Sequence, residues 1–545
     1  MKNGAQLLVK CLEQQGVKVI FGIPGAKIDA VFDALLDSSI QFVLCRHEQN
    51  AAFMAAAHGR LTGKPGVVLV TSGPGVANLA TGLLTATTEG DPIVAIGGNV
   101  SLNMKLKASH QNTDNIKLME AVTKTRMEVL TVESIPEIVD NAFRTATAPH
   151  SGAVFISLPQ DVSHALTPLT APEPIPPVMQ GSANIDLIAK AAEQINQAKN
   201  PVLLLGQESS RSMNAIAIKA FIEKTHIPVI STYQAAGVVP RELLSYFVGR
   251  VGLFKNQPGD ELLNSTDLII SVGFNAVEYD PEIWNSRGNK KILHINYDSA
   301  DIRQDYRPFI ELPGNIASTL QILTETLICH EPFIYDDLRN VLINKIAEGK
   351  THNGTPIHPL RFIHDLRETL DDNAIVVADV GSNYMWMARY FLSFKPHHLL
   401  FSNGQQTLGV ALPWAISAKL AHPEKTIISV SGDGGFLFSA MELETAVREK
   451  LHFIHFIWTD GSYNMVKEQQ LIKYHRESAV KLGAIDIVKF AESFGAQGYK
   501  INNPSELIPT INTALTLNGP VLIEIPIDYR DNPELFETLI HNSVH

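Results

Sequence analysis

The chain has 545 residues, 45% of them apolar and 18% charged, and a formal net charge of −12. That length implies roughly two to four domains with sizeable cores, and the acidic balance disfavours nucleic acid and anionic membrane surfaces as partners. Cys11, Cys45 and Cys329 are scattered, with the spacing of neither a disulfide framework nor a zinc site.

The first 22 residues read as an amphipathic helix running into a strand. They lack the long apolar core and small-residue cleavage site of a signal peptide. No apolar run reaches the length of a membrane span. The expectation is a soluble, cytoplasmic protein.

Three blocks follow in chain order. In the first, 1–166, short apolar runs at 17–21, 42–44, 67–70, 93–96 and 153–158 alternate with helical patterns. Such alternation predicts an α/β unit with a mostly parallel sheet. Pro168, Pro172, Pro174, Pro176 and Pro177 then mark an extended linker. The second block, 183–333, has strand patterns at 202–205, 229–231, 268–272 and 292–295. Its first strand ends at Gly206, but no G-x-G-x-x-G follows, so the dinucleotide fingerprint is absent. A helical connector at 336–350 leads to the third block, 357–530, with strand patterns at 375–378, 399–402, 426–429, 453–458 and 521–526. The fold expected is α/β, with three doubly wound parallel-sheet domains.

The third block carries the sharpest chemical signal. Gly432, Asp433, Gly434 and Gly435 follow one predicted strand, and Asp460, Ser462 and Asn464 follow the next. In a parallel sheet both carboxylates then project into the crevice at one edge, where ligands bind. Two hard oxygen ligands joined by phosphate oxygens suit Mg²⁺. The glycines let backbone amides approach a phosphate at a helix N-terminus. A plain Asp-Gly turn at a strand end is the competing reading, and Asp460 with Asn464 at this spacing weighs against it.

This pattern resembles the binding motif of the thiamine-diphosphate-dependent enzymes. The resemblance implies that Asp433 and Asp460 are Mg²⁺ ligands, with the carbonyl of Ser462 as a third. It extends to the first block, where Arg46-His47-Glu48 opens an Ala-rich helix. Glu48 there is similar to the family's glutamate that hydrogen-bonds N1′ of the cofactor pyrimidine, an acid–base role tuned by the protein. Gly73 in the Thr71–Gly75 turn and Gln111 match further family positions near the reacting centre. Gly381 and Ser382 match diphosphate contacts. Residues 401–413 resemble the aminopyrimidine segment, implying contacts from Gln405 and an apolar wedge at Leu408, where many members carry Met. Residues 465–474 resemble a lid, with Met465 on the cofactor and Gln469 on the substrate.

Two stretches, 21–29 and 273–284, are similar to the catabolic, flavin-free acetolactate synthases. That likeness implies condensation of two pyruvates to 2-acetolactate with loss of CO₂, a place in acetoin biosynthesis, thiamine diphosphate and Mg²⁺ as cofactors, and no FAD. It also implies a homodimer or homotetramer with sites between subunits, and it leaves Lys27 as a substrate or phosphate contact. The alternatives are a pyruvate decarboxylase or pyruvate oxidase of the same fold, a nucleotide-dependent oxidoreductase built on the second block, and a non-catalytic regulatory homologue.

Overall fold

The computed structural model describes residues 1–176, 178–329 and 335–536. Pro177 and the expected end of the second block at 333 lie outside the described residues.

Three six-stranded sheets organise the chain, each wholly parallel and flanked by helices. In the first, the strands run in the order Gln41–Leu44, Val19–Ile23, Gly66–Val70, Ile93–Asn99, Ala153–Pro159 and Thr125–Glu128. The second runs Phe247–Val251, Val229–Thr232, Pro201–Leu205, Leu268–Val272, Ile292–Asn296 and Ile310–Pro313. The third runs Leu399–Leu400, Ile375–Ala378, Ile427–Gly432, Ile454–Thr459, Val521–Pro526 and Gln497–Lys500. The central strands are apolar on both faces because helices cover both faces, so they read as unbroken hydrophobic runs.

In every sheet the strands that the apolar pattern does not announce are at an edge. Thr125–Glu128 is half-buried throughout and Gln497–Lys500 carries an exposed lysine. Ile310–Pro313 ends on an exposed proline, which an edge tolerates. Phe247–Val251 is buried, but Gly249 and Arg250 interrupt its run. The Arg250 guanidinium instead donates to the carbonyls of Ala388 and Phe391 in the third unit. The pattern at 399–402 shortens to Leu399–Leu400, because the chain leaves the sheet to form the loop through Gly409.

The opening helix is Gly4–Gln14. Asn3 and Gln6 close a capping box at its start, the reciprocal bonding that satisfies two otherwise orphaned donors. Lys2–Asn3 pairs antiparallel with Leu166–Thr167, tying the chain start to the end of the first unit.

The first and third units share one core. The Ala-rich helix Glu48–Thr62 packs on Ala411–Ala421, and alanines at the contact let the backbones approach closely. Glycine is required in the same helix at Gly59, where a Cβ would lie 2.3 Å from the carbonyl oxygen of Pro92. Arg60 fastens the joint: it pairs with Asp91 at 2.7 Å, donates to the carbonyl of Phe401 at 2.8 Å, and lies over Trp414. Glu89 reaches all three units, accepting from the Gly404 N–H at 2.7 Å and from the Gln234 amide at 2.8 Å.

Candidate active site

In the third sheet, strand Ile375–Ala378 has its sequence successor Leu399–Leu400 on one side and Ile427–Gly432 on the other. The strand order reverses there. Loops leaving the carboxyl ends of the two strands must diverge at such a point and open a crevice. A cleft of about 240 Å³ lies there, walled by 380–383, 432–435, Asp460 and 462–466, with Gln406, Leu408, Gln469 and Tyr529.

The two carboxylates that the sequence singles out sit side by side in this cleft. Asp433 begins the short helix Asp433–Phe436 at the end of its strand. Its Oδ1 accepts the N–H of Gly434 at 2.9 Å, and its Oδ2 that of Gly461 at 2.8 Å. Asp460 Oδ2 accepts from the Ser462 hydroxyl at 2.6 Å and the Asn464 amide at 2.9 Å. Burial pushes the Asp433 carboxyl above its ordinary value; the Gly461 N–H pulls it back, and negative Asp460 raises it again. A cation between the two would relieve that repulsion.

The donor set fits a hard divalent ion on a diphosphate. Among the described residues, no three His, Cys, Asp or Glu side chains converge as a complete metal cage. A cation here would therefore take two carboxylates and complete its shell with main-chain and ligand oxygens, the habit of Mg²⁺. Glycine is required at Gly461 for its φ of 70°. At Gly434 the requirement is space, because a Cβ would lie 2.6 Å from the Tyr463 ring.

Among the remaining cleft residues, some side chains are open to the cleft and others are already engaged by protein partners. Asn464 lines the cleft, yet its side chain is committed: it donates to Asp460 and accepts from Ser382 at 2.8 Å and from Asn532 at 2.5 Å. The Ser382 hydroxyl is likewise engaged, so Ser382 has its backbone N–H to offer, at the start of helix Ser382–Tyr390. Leu408, Met465 and Val466 supply apolar surface, and Gln469 lies on the helix Asn464–Tyr474.

Gln405 is placed differently from the expectation. It is exposed, and its amide donates to Thr88 at 3.0 Å. Gln406, at a left-handed φ of 47°, lines the cleft instead. Gln406, Val380, Asn383 and Tyr529 are lining residues that motif reading missed.

A second group forms at the carboxyl edge of the first sheet. Glu48 begins its helix, and its Oε2 accepts from Asn78 at 2.9 Å. Its Oε1 lies 3.5 Å from where a Cβ on Gly75 would stand. Gly73 and Gln111 meet, both with positive φ. Beside them the hydroxyls of Thr71 and Ser72 are buried without a partner among the described residues. Lys27 Nζ lies 3.4 Å from the Gln160 side-chain oxygen. None of Glu48, Gly73, Gln111 or Lys27 lines the Asp433 cleft of the same chain.

Comparison with known proteins gives the family. Three family models match in order: the thiamine pyrophosphate enzyme N-terminal TPP binding domain over 2–119, the central domain over 188–323, and the C-terminal TPP binding domain over 379–525. The chain is 49% identical over 541 residues to the acetolactate synthase of Bacillus subtilis (strain 168), covering 98% of this chain and 95% of that one. It is 45% identical over 545 residues to the catabolic acetolactate synthase of Raoultella terrigena, covering 98% and 97%. To the acetolactate synthase isozyme 2 large subunit of Escherichia coli (strain K12) it is 29% identical over 538 residues, covering 97% and 96%.

Proposed function

The chain belongs to the acetolactate synthases of the thiamine pyrophosphate enzyme family, and on that footing we propose that its Asp433 cleft and its Glu48 group are the two halves of one active site. The enzyme condenses two molecules of pyruvate to 2-acetolactate and CO₂. When bound, thiamine diphosphate supplies a carbon nucleophile and an electron sink. The chain's own residues bind it, orient it, move a proton at its ring and keep water out.

Asp433 and Asp460 hold Mg²⁺, with the Ser462 carbonyl as a third ligand. The amides at Gly381–Ser382 and Gly432–Gly435 receive the diphosphate. Glu48 exchanges a proton with the pyrimidine nitrogen, Gln111 and Gly73 flank the ring, and Leu408 and Met465 support it. The helix Asn464–Tyr474 carries Gln469 toward the substrate and excludes water, which would otherwise divert the reaction to acetaldehyde. Lys27 is a further candidate for pyruvate's carboxylate. The observation that carries this reading is the pair Asp433 and Asp460 in the cleft beside the strand-order reversal, each already oriented by its own hydrogen bonds.

Because the Glu48 group does not line the cleft of its own chain, the complete site joins two chains in a homodimer, which can pair into a tetramer. Leu437, Phe438 and Met441, 43%, 46% and 38% exposed beside the Asp433 helix, offer apolar surface for such a partner.

We assign no FAD to the enzyme. Support comes from the switch point of the second sheet, where a nucleotide would bind. There the buried Glu278 carboxyl group already accepts the N–H of Gln207 at 2.9 Å, the Thr232 hydroxyl at 2.6 Å and the N–H of Asn275 at 2.8 Å. Among the described residues, no helix is long and apolar enough to cross a membrane; a cytoplasmic role in acetoin biosynthesis completes the proposal. Incubation with pyruvate, thiamine diphosphate and Mg²⁺, with and without FAD, tests it. Acetolactate formed independently of FAD is expected. Acetaldehyde or acetyl phosphate as main product, or a requirement for FAD, would overturn it.

A further inference from the structure

Behind the cleft, strand Ile375–Ala378 runs into Asp379, whose side chain does not reach the lining. Asp379 is 1% exposed. Its Oδ1 accepts the N–H of Val380 at 2.8 Å and that of Gly409 at 2.9 Å. Its Oδ2 lies 3.1 Å from the same Gly409 nitrogen and 3.4 Å from that of Ala411. The main chain of Asp379 is fastened as well: its N–H donates to Val430 and its carbonyl accepts from Asn383, both at 2.8 Å. Its carboxyl carbon lies 3.2 Å from where a Cβ on Gly435 would stand. One buried residue thus touches three of the segments around the cleft, 380–383, 406–411 and 432–435, though not 460–466.

Among the described residues, only main-chain N–H groups donate to this carboxylate. Its charge is balanced by peptide dipoles, including the N-terminus of helix Ala411–Ala421. A charge buried this way persists when its acceptor capacity is filled from fixed directions. The directions converge on Gly409, the residue after Leu408, whose φ of +86° turns the chain out of the cleft.

We infer that Asp379 is a positioning residue for cofactor activation: its carboxylate clamps the main chain of Gly409–Ala411 and so sets how far Leu408 reaches into the cleft. The inference rests on reading that cleft as the thiamine diphosphate site. The clamp needs a carboxylate because both oxygens accept. An amide of the same shape keeps one acceptor and turns an N–H₂ toward Gly409 or Ala411, donor against donor. Asp379→Asn therefore releases the segment without emptying the space.

The test uses the full-length protein as wild type, Asp379→Asn, Leu408→Ala and the double variant. In the apoproteins, amide exchange over 403–411 should accelerate at least about tenfold in Asp379→Asn, while the strand Val521–Pro526 stays protected. At saturating thiamine diphosphate and Mg²⁺, exchange of the cofactor C2 proton should slow about 10- to 100-fold in either single variant, the scale of a misplacement near 1 Å. The double variant should be no slower than the slower single, because both act on one contact. A plain helix cap would lower Tm and leave C2 exchange at saturation untouched. Wild-type exchange in Asp379→Asn, or multiplicative effects in the double variant, removes the role of Asp379 while the site stands. Failure of the wild type to take up thiamine diphosphate removes the site itself, and the inference with it. Should Asp379→Asn not fold, Asp379→Ser, with one hydroxyl acceptor and no N–H₂, carries the same measurements.

Discussion

Oδ2 of Asp433 accepts the N–H of Gly461 at 2.8 Å, so the first carboxylate of the cleft holds the peptide that follows the second, Asp460. The ends of two neighbouring strands are thereby locked before any ligand arrives. Asp433→Ala should remove both a cation ligand and this lock. The Mg²⁺ concentration for half-maximal cofactor binding is expected to rise at least about tenfold, as loss of a direct ligand implies. Calorimetric titration of thiamine diphosphate at a series of Mg²⁺ concentrations checks it, and an unchanged requirement would remove Asp433 from the metal site.

Glu48→Gln keeps the acceptor that bonds Asn78 but loses the exchangeable proton. Cofactor affinity should change little, while C2 proton exchange slows about 10²-fold or more. NMR after acid quench reads the exchange rate directly. Equal rates in variant and wild type would leave Glu48 a plain helix-terminal carboxylate, stabilising by its charge alone.

If the site joins two chains, Glu48→Gln and Asp433→Ala damage complementary halves. Co-expressed, the two inactive variants should recover up to about a quarter of wild-type activity, since half of randomly formed dimers are hybrids with one intact site of two. No recovery in verified hybrids would place both groups in one chain's site.

Buried acids and buried histidines set opposite slopes on stability against pH. Burial holds His397 and His455 down to about 3, and His58 and His398 to about 4. These bases bind fewer protons folded than unfolded, so stability falls as pH drops below about 6.5. Burial pushes Glu278 up to about 8, against the hydrogen bonds it accepts from Thr232, Gln207 and Asn275. An acid raised in this way binds more protons folded, so its contribution is complete at low pH and is lost as pH rises through the folded value. Between pH 6.5 and 8 the wild type should lose on the order of 2 kcal/mol, read as a falling Tm. Glu278→Gln should flatten that limb; an equal slope in the variant would assign the loss elsewhere.

Most of the architecture is legible in the order of residues. Central strands such as Leu268–Val272 and Val521–Pro526 stand as unbroken apolar runs because helices bury both of their faces. Edge strands such as Thr125–Glu128 and Gln497–Lys500 carry no such signature, since one side meets solvent and polar residues are tolerated there. Asp379 follows a strand and precedes Gly381 much as Asp433 precedes Gly434, and that shared pattern could have marked it.

By itself the sequence determined the three α/β units, the Asp433–Asp460 pair and the glycines between them, because each is a local matter of periodicity, backbone freedom and a strand end. Tertiary structure alone decided that Gln406 and not Gln405 faces the cleft, that the Asn464 and Ser382 side chains bond each other and Asn532, and that Glu48 stands apart from Asp433 within one chain. Those outcomes depend on which direction a side chain takes after a turn and on which distant groups already occupy its donors and acceptors. No spacing along a sequence encodes either quantity.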